Sequence, residues 1–319
     1  MNRREIEDIL AAAGTRPTRR LGQHFMMDQR VLDQIIQVAE LTAEDIILEV
    51  GPGPGNLTSR LSPLVRAVAA VDLDAPLLAA ASHYWEKLGN VQWLHADVLA
   101  GKHRINPTVI NILRSLKLDH STGSIKLVSN LPYNVASPLI VDILAAQCAD
   151  YQQPESPSSM PFERLVFTVQ WEVGQRMKAA PGTDHYGSLS VLIALMADVE
   201  VLAAIAPGAF WPPPKVKSAL IRIMPRERKM RQIADVQRLQ DTVSNLFSHR
   251  RQNISNAIRH SLQPPVAVAV LEKVRAVGLD PAHRSESLSP DEFLRLSECW
   301  PSRSHVGGQI ASNGSSGPP

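Results

Sequence analysis

Asn130, Leu131, Pro132 and Tyr133 follow the apolar run "IKLV" almost directly, bringing an amide, a residue without an N–H donor and an aromatic ring to the end of a strand. That set suits a flat ring bearing an amine. An exocyclic purine amine is a poor nucleophile because its lone pair is delocalised into the ring. Two acceptors on its N–H groups would hold the nitrogen pyramidal and free the lone pair for attack. The Asn130 side-chain oxygen and the Pro132 carbonyl are the expected acceptors, and Tyr133 offers a face on which a flipped base stacks. The alternative is a turn in which Asn130 caps a helix starting near Ala136 and Tyr133 packs in the core.

A second set lies on the preceding strand ends. In "LEVGPGPGNLT" (48–58), Gly51, Gly53 and Gly55 permit positive φ and let a ligand approach the backbone. The dinucleotide fingerprint G-x-G-x-x-G fails at Asn56, and two prolines leave fewer free N–H groups than a pyrophosphate cradle needs. Asp72 ends the next run and can accept both hydroxyls of a ribose; Asp97, in "HADVL", can accept an adenine amino proton. Either carboxylate alone reads equally well as a helix N-cap. Together with the glycine turn, they favour an adenosine-containing cofactor at the carboxyl edge of an open sheet.

The elements that would hold these groups alternate. Short β-branched runs at 45–51, 67–74, 91–97, 125–130 and 164–170 are separated by helical stretches at 56–65, 75–86 and 136–148, which predicts a parallel sheet covered on both faces. Residues 101–124 and 150–162 exceed a normal connection and read as surface insertions. The prolines of "APGAFWPPPKVKS" (206–218) exclude a helix, and "ALIRIM" (219–224) reads as a last strand. Amphipathic patterns at about 233–248, 252–262, 266–277 and 290–299 predict a small helical domain. The expected division is 1–30, 31–225 and 226–300, with a Gly/Ser/Pro-rich disordered tail over 301–319.

Only Cys148 and Cys299 are present, far apart and without neighbours at metal-ligand spacing, which argues against a disulfide scaffold and against a metal site. Neither a signal peptide nor a membrane-spanning run is evident, so a cytoplasmic location is expected. The net charge of +2 hides an asymmetry. Residues 31–211 carry 11 Lys and Arg against 18 Asp and Glu, whereas 212–260 carry 11 against 3. Clustered cations of this kind form either a solvated helix face or a surface for a polyanion.

Taken in order, "RRLGQHFM" (19–26), "LEVGPGPGNLT", "ADVL" (96–99), "NLPYNVASPL" (130–139), "VQWEVGQRM" (169–177), "YGSLSVL" (186–192), "PGAFWPPPKVKSALIRI" (207–223) and "LFSHRRQNISNAI" (246–258) resemble the ribosomal RNA small-subunit adenine dimethyltransferase family over most of residues 19–290. The resemblance implies a Rossmann-like, mostly parallel class I methyltransferase sheet with a small C-terminal helical domain, using S-adenosylmethionine. It implies that His24, Met26, Gly51, Gly53, Asp72, Asp97 and Asn130 surround that cofactor. Family members usually carry Asn, Leu and Glu where this chain has His24, Met26 and Asp72, and Lys where it has Gln252. Asn130, Leu131, Pro132 and Tyr133 then form the reacting corner, with Phe210 closing over the base opposite Tyr133. Lys215, Lys217, Arg222, Arg250 and Arg251 read as phosphate contacts to a structured RNA recognised largely by shape. The implied reaction is dimethylation at N6 of two neighbouring adenines near the 3′ end of small-subunit RNA, on a partly assembled subunit, by a monomer. Three rivals share parts of the pattern: a large-subunit methyltransferase of the resistance type, a nicotinamide oxidoreductase, and a non-catalytic RNA-binding assembly factor.

Overall fold

The structure, a computed structural model, describes residues 1–18, 22–101, 104–118, 123–152 and 160–302. The strands are β1 (Phe25–Met26), β2 (Ile46–Val50), β3 (Ala67–Asp72), β4 (Val91–His95), β5 (Ile125–Asn130), β6 (Phe162–Gln170), β7 (Ala197–Ile205), β8 (Phe210–Trp211) and β9 (Ser218–Pro225). The helices are α1 (Arg3–Ala12), α2 (Gln29–Ala39), α3 (Thr58–Leu61), α4 (Ala75–Tyr84), α5 (Pro107–Leu118), α6 (Ala136–Gln152), α7 (Trp171–Lys178), α8 (Ser188–Met196), α9 (Glu227–Met230), α10 (Val236–Ser248), α11 (Ile254–Ser261), α12 (Pro264–Ala276) and α13 (Pro290–Cys299).

Seven strands form one sheet in the order β4-β3-β2-β5-β6-β9-β7. The first five are parallel, and β9 runs antiparallel to both β6 and β7. All five residues of β2 are buried, as expected of a central strand with helices on both faces. The chain winds outward from β2 through β3 to β4, then returns to lay β5 and β6 on the other side. Strand order therefore reverses between β2 and β5, and the carboxyl ends of that pair are where a doubly wound sheet opens a crevice. Gly51 follows β2 and Asn130 ends β5.

Three departures from the sequence reading bear on this frame. Residues 101–124 are not simply a surface insertion: α5 lies within them and sets Val109, Ile110 and Leu113 into the core beneath β2 and β3. The stretch 150–162 contains the end of α6 and the start of β6, with 153–159 outside the described residues. Strand β7 went unread because "SLSVLIALMADVEVLAAI" is one apolar run in which α8 passes straight into the strand. Residues 303–319 of the expected tail also lie outside the described residues.

Beyond Pro225, side-chain caps mark the starts of three helices. Asp235 and Asn253 accept backbone N–H groups at the starts of α10 and α11, and Ser289 with Glu292 forms a capping box on α13. These helices share one apolar core with the sheet side, in which Met196, Met230, Leu239 and Phe293 belong to the same buried cluster. No described helix is long and apolar enough to cross a membrane.

Candidate active site

A cleft enclosing about 810 Å³ of free space, partly open to solvent, sits at the β2/β5 reversal. Four strand ends and the segment before β1 form its walls: Gly51 and Gly53 after β2, Asp72 on β3, Asp97 after β4, Asn130 through Val135 after β5, and Gly22 through Phe25. The glycine loop turns through φ of 72° at Gly51, 54° at Gly53 and 89° at Gly55. Side chains have no room there. A Cβ on Gly51 would stand 3.0 Å from the Pro132 ring, and one on Gly53 would stand 2.8 Å from the Phe25 ring.

Asn130 is held from two sides. Its Nδ2 donates to the His24 carbonyl at 2.9 Å, and its Oδ1 accepts the Thr168 hydroxyl at 2.5 Å. The carbonyl can only accept and the hydroxyl has no other acceptor in view, so the amide has one orientation and keeps one lone pair of Oδ1 for a further donor. His24 Nδ1 lies 2.7 Å from the Pro212 carbonyl, which puts the proton on Nδ1. That bond ties the segment before β1 to the proline-rich loop. Tyr133 points its hydroxyl at Ser218 Oγ, 2.9 Å away, and burial raises its pKa. Its ring lies 5.9 Å from the His24 ring, centroid to centroid.

The second acceptor expected here needs correcting. The Pro132 carbonyl accepts the Val135 N–H at 3.1 Å and so closes the turn into α6. Among the described residues no backbone N–H is bonded to the Leu131 carbonyl, which stands one residue nearer Asn130 in the same cleft wall. Met26 and Phe210 also depart from expectation. They pair in register across the two-stranded sheet of β1 and β8, each 3% exposed, inside an apolar cluster with Leu32 and Leu57. Neither lines the cleft; Phe25, on the opposite face of β1, does.

Asp72 Oδ1 accepts the Asp74 N–H at 2.9 Å and Oδ2 the Gly53 N–H at 3.3 Å, and burial raises its pKa. Asp97 is exposed at the rim, with Oδ1 accepting the Leu99 N–H at 2.9 Å. Among the described residues the cleft wall contains these two carboxylates and no Lys or Arg. It is thus built for hydroxyls, amino groups and positive charge, and poorly for a pyrophosphate.

Under the glycine loop lies Glu49, which the sequence reading passed over. It is 2% exposed, accepts the Thr58 hydroxyl at 2.6 Å, and has its pKa pushed up to about 8 by burial, with Asp72 adding to the shift. Between its ordinary value of 4.5 and about 8, the folded protein keeps a proton that the unfolded chain has released. Stability from this group is therefore full below the lower value and lost as pH rises toward the upper one. Glu49→Gln, which keeps an acceptor for Thr58, should flatten this dependence. Thermal unfolding of both proteins at about pH 5 and about pH 8 checks it, since the wild type should lose more on alkalinisation.

The expected phosphate contacts divide. Lys215, Lys217 and Arg251 are exposed and form no ion pair among the described residues. Arg250 bonds Glu286 at 3.0 Å and the Asp184 carbonyl at 3.0 Å, holding the turn before α13 to the loop before α8. Arg222 makes two bonds of 2.9 Å to Glu200 and lies 3.6 Å from Glu40. It stands four residues along β9 from Ser218, about 13 Å away from the cleft end of the sheet. We assign Arg222 to the fold and not to an RNA surface.

Comparison with known proteins follows the same lines. The sequence profile of the family described as ribosomal RNA adenine dimethylase matches residues 15–300. Proteins named ribosomal RNA small subunit methyltransferase A are similar over nearly their whole length. The one from Pelotomaculum thermopropionicum is 32% identical over 299 residues, covering 92% of this chain and 95% of its own. That from Geobacter metallireducens is 34% identical over 284 residues, covering 89% and 95%. Among solved structures, a dimethyladenosine transferase from Plasmodium falciparum superposes with a TM-score of 0.63 at 22% identity, over 86% of this chain and 96% of its own. The 23S rRNA methyltransferase ErmE gives 0.56 at 20% identity, over 86% and 99%. Both share the fold.

Proposed function

Because this chain belongs to the ribosomal RNA adenine dimethylase family, we propose that it transfers methyl groups from S-adenosylmethionine to N6 of adenine in small-subunit ribosomal RNA. The finer reading is two methyl groups on each of two neighbouring adenines near the 3′ end, placed on an immature small subunit by a monomer in the cytoplasm. One observation carries the choice of cofactor: the described wall of the cleft has carboxylates at Asp72 and Asp97 and no cation. Asp72 would hold ribose hydroxyls, Asp97 an adenine amino group, Gly51 and Gly53 the close backbone approach, and exposed Leu73 an apolar face beside them. The nicotinamide alternative needs a phosphate cradle, and this wall does not offer one.

When bound, S-adenosylmethionine supplies an electrophilic methyl on a sulfonium. The protein's own work is on the amine. Asn130 Oδ1 and the Leu131 carbonyl accept its two N–H groups, which localises the nitrogen lone pair. Thr168 and His24 keep the amide from turning its NH₂ toward the substrate. Tyr133 presents its ring to the flipped base while Ser218 fixes the hydroxyl. No strong base is required, because the alkylated amine is acidic and loses its proton to water. Most of the acceleration is positioning and fixed dipoles. Incubating the protein with methyl-labelled cofactor and undermethylated small subunits, followed by nucleoside mass spectrometry, tests the reading. Dimethyladenosine in small-subunit RNA is expected, and label confined to large-subunit RNA would favour the resistance-type alternative.

For the RNA surface, Lys215→Gln, Lys217→Gln and Arg251→Gln should each weaken binding. Each should lower the slope of log affinity against log salt by about 0.7–0.9. Arg222→Gln should leave that slope unchanged. Filter binding to small-subunit RNA across a salt series distinguishes the two groups.

A further inference from the structure

Trp171 begins α7 one residue beyond the end of β6, and its side chain is 37% exposed. Its backbone N–H donates to the Lys217 carbonyl at 2.9 Å, which sets it against the loop carrying Val216, 47% exposed, and the exposed Lys215 and Lys217. The next residue of that loop, Ser218, holds the Tyr133 hydroxyl. Thus an open indole and an exposed valine, flanked by two cations without an ion pair among the described residues, sit at the segment next to the serine that holds the ring walling the reacting corner. Among the described residues no ring and no guanidinium stacks on Trp171. The neighbouring carboxylate, Glu172, is paired with Arg176 and so repels a polyanion less.

We propose that Trp171 is the stacking platform for the nucleotide next to the target adenine on the same RNA strand, with Val216 against its edge and Lys215 and Lys217 on the flanking phosphates. The inference rests on the reading of the cleft as an RNA adenine methyltransferase site. An aromatic face with interleaved cations is the composition that binds unpaired nucleic acid, because every base has a π-face and every linkage a charge. A protein partner would want a larger apolar area without the cations. Holding the neighbour while the target is turned out keeps the strand from sliding, and it selects a target that lies beside another stackable base.

The test uses the full chain and two substrates. Trp171 is the one exposed tryptophan among the five, so binding of hexa-adenylate should quench its fluorescence; Trp171→Phe should abolish the quench while keeping affinity. Trp171→Ala should lose affinity for hexa-adenylate about 5- to 100-fold. With undermethylated small subunits it should raise KM for RNA without changing the affinity for S-adenosylmethionine, and Trp171→Phe should restore KM. Hexa-adenylate made abasic at every second position should bind the wild type about 5- to 100-fold more weakly than the intact oligomer does, a comparison that needs no variant. Wild-type affinity of the abasic oligomer, or unchanged KM in folded Trp171→Ala, would overturn the proposal. If the wild type transfers no methyl to any adenine, the functional reading fails, while the two binding arms still decide on the platform.

Discussion

Asn130→Ala should lower kcat by about 10²- to 10³-fold or more while RNA and cofactor still bind. The magnitude follows from what the amide does. Its Oδ1 is held by the Thr168 hydroxyl and its Nδ2 by the His24 carbonyl, so the remaining lone pair points with no reorganisation at the moment of attack. Alanine removes one of two acceptors on the reacting amine and leaves both holding groups without their bond. Losing those bonds costs about 1–3 kcal/mol of stability, too little to unfold the chain. Asn130→Asp is the informative companion. A carboxylate still accepts from Thr168 and from the amine but faces the His24 carbonyl without a proton to give, so activity should fall between the other two proteins. Thr168→Val should lower kcat by roughly tenfold, and Thr168→Ser should recover it, because only the hydroxyl matters in a positioning role. Single-turnover transfer to undermethylated small subunits reads all four variants. Dimethylation by Asn130→Ala at the wild-type rate would remove the amide from the mechanism.

Residues 45 to 97 and the strand at 125–130 were legible because their signals are local, whereas α5 between them read as an insertion. Short apolar runs bounded by turn residues read as covered strands, and a glycine loop followed by acidic strand ends marks a cleft at their carboxyl edge. The direction of a side chain was not legible where the element is two residues long. Phe25 and Met26 differ only in which face of β1 they take, and that face is set by pairing with Phe210 and Trp211, nearly two hundred residues away. Thr168 was missed for a related reason. In "RLVFTVQ" it reads as one more β-former, and only the parallel pairing of β5 with β6 brings it opposite Asn130. Charge counting failed in its own way. Arg222, Arg226, Lys229, Arg231 and Arg250 lie in the basic stretch, yet each is met by a carboxylate, most of them from other parts of the chain. Composition records how many cations a segment has, whereas a polyanion meets only those the fold leaves unpaired.

Lys126→Met should destabilise the fold by about 3–5 kcal/mol, the cost of stranding a buried charge. Lys126 and its partner Asp45 are each 3% exposed at the side chain, joined at 2.8 Å, with the ammonium also donating to the Glu40 carbonyl at 2.6 Å. Burial alone would raise the Asp45 pKa. The Lys126 ammonium and the N–H groups of Ser124 and Thr42 outweigh it and hold the carboxyl below its ordinary value of 3.8. Its stabilising contribution is therefore present above that value and lost as pH falls through the lowered one. Methionine fills the channel but leaves Asp45 ionised without a counter-charge. The melting temperature should drop by roughly 4–8 °C near neutral pH, taking about 1.5 °C per kcal/mol from an unfolding entropy of about 2.1 cal/mol/K per residue. The deficit should shrink on acidification, because the stranded carboxylate then takes up a proton while the wild type loses its pair. Adding Asp45→Asn should recover part of the loss, since the amide oxygen still accepts one of the backbone N–H groups and carries no charge. Urea unfolding of the single and double variants at two pH values measures both effects, and equal deficits at either pH would show that packing, not charge, is what Lys126 supplies. Lys126 and Asn130 stand four residues apart on β5, about 13 Å from one end of the strand to the other. A variant that melts early yet transfers methyl groups at a near-normal rate at low temperature would separate the end of the sheet that holds the fold from the end that does the chemistry.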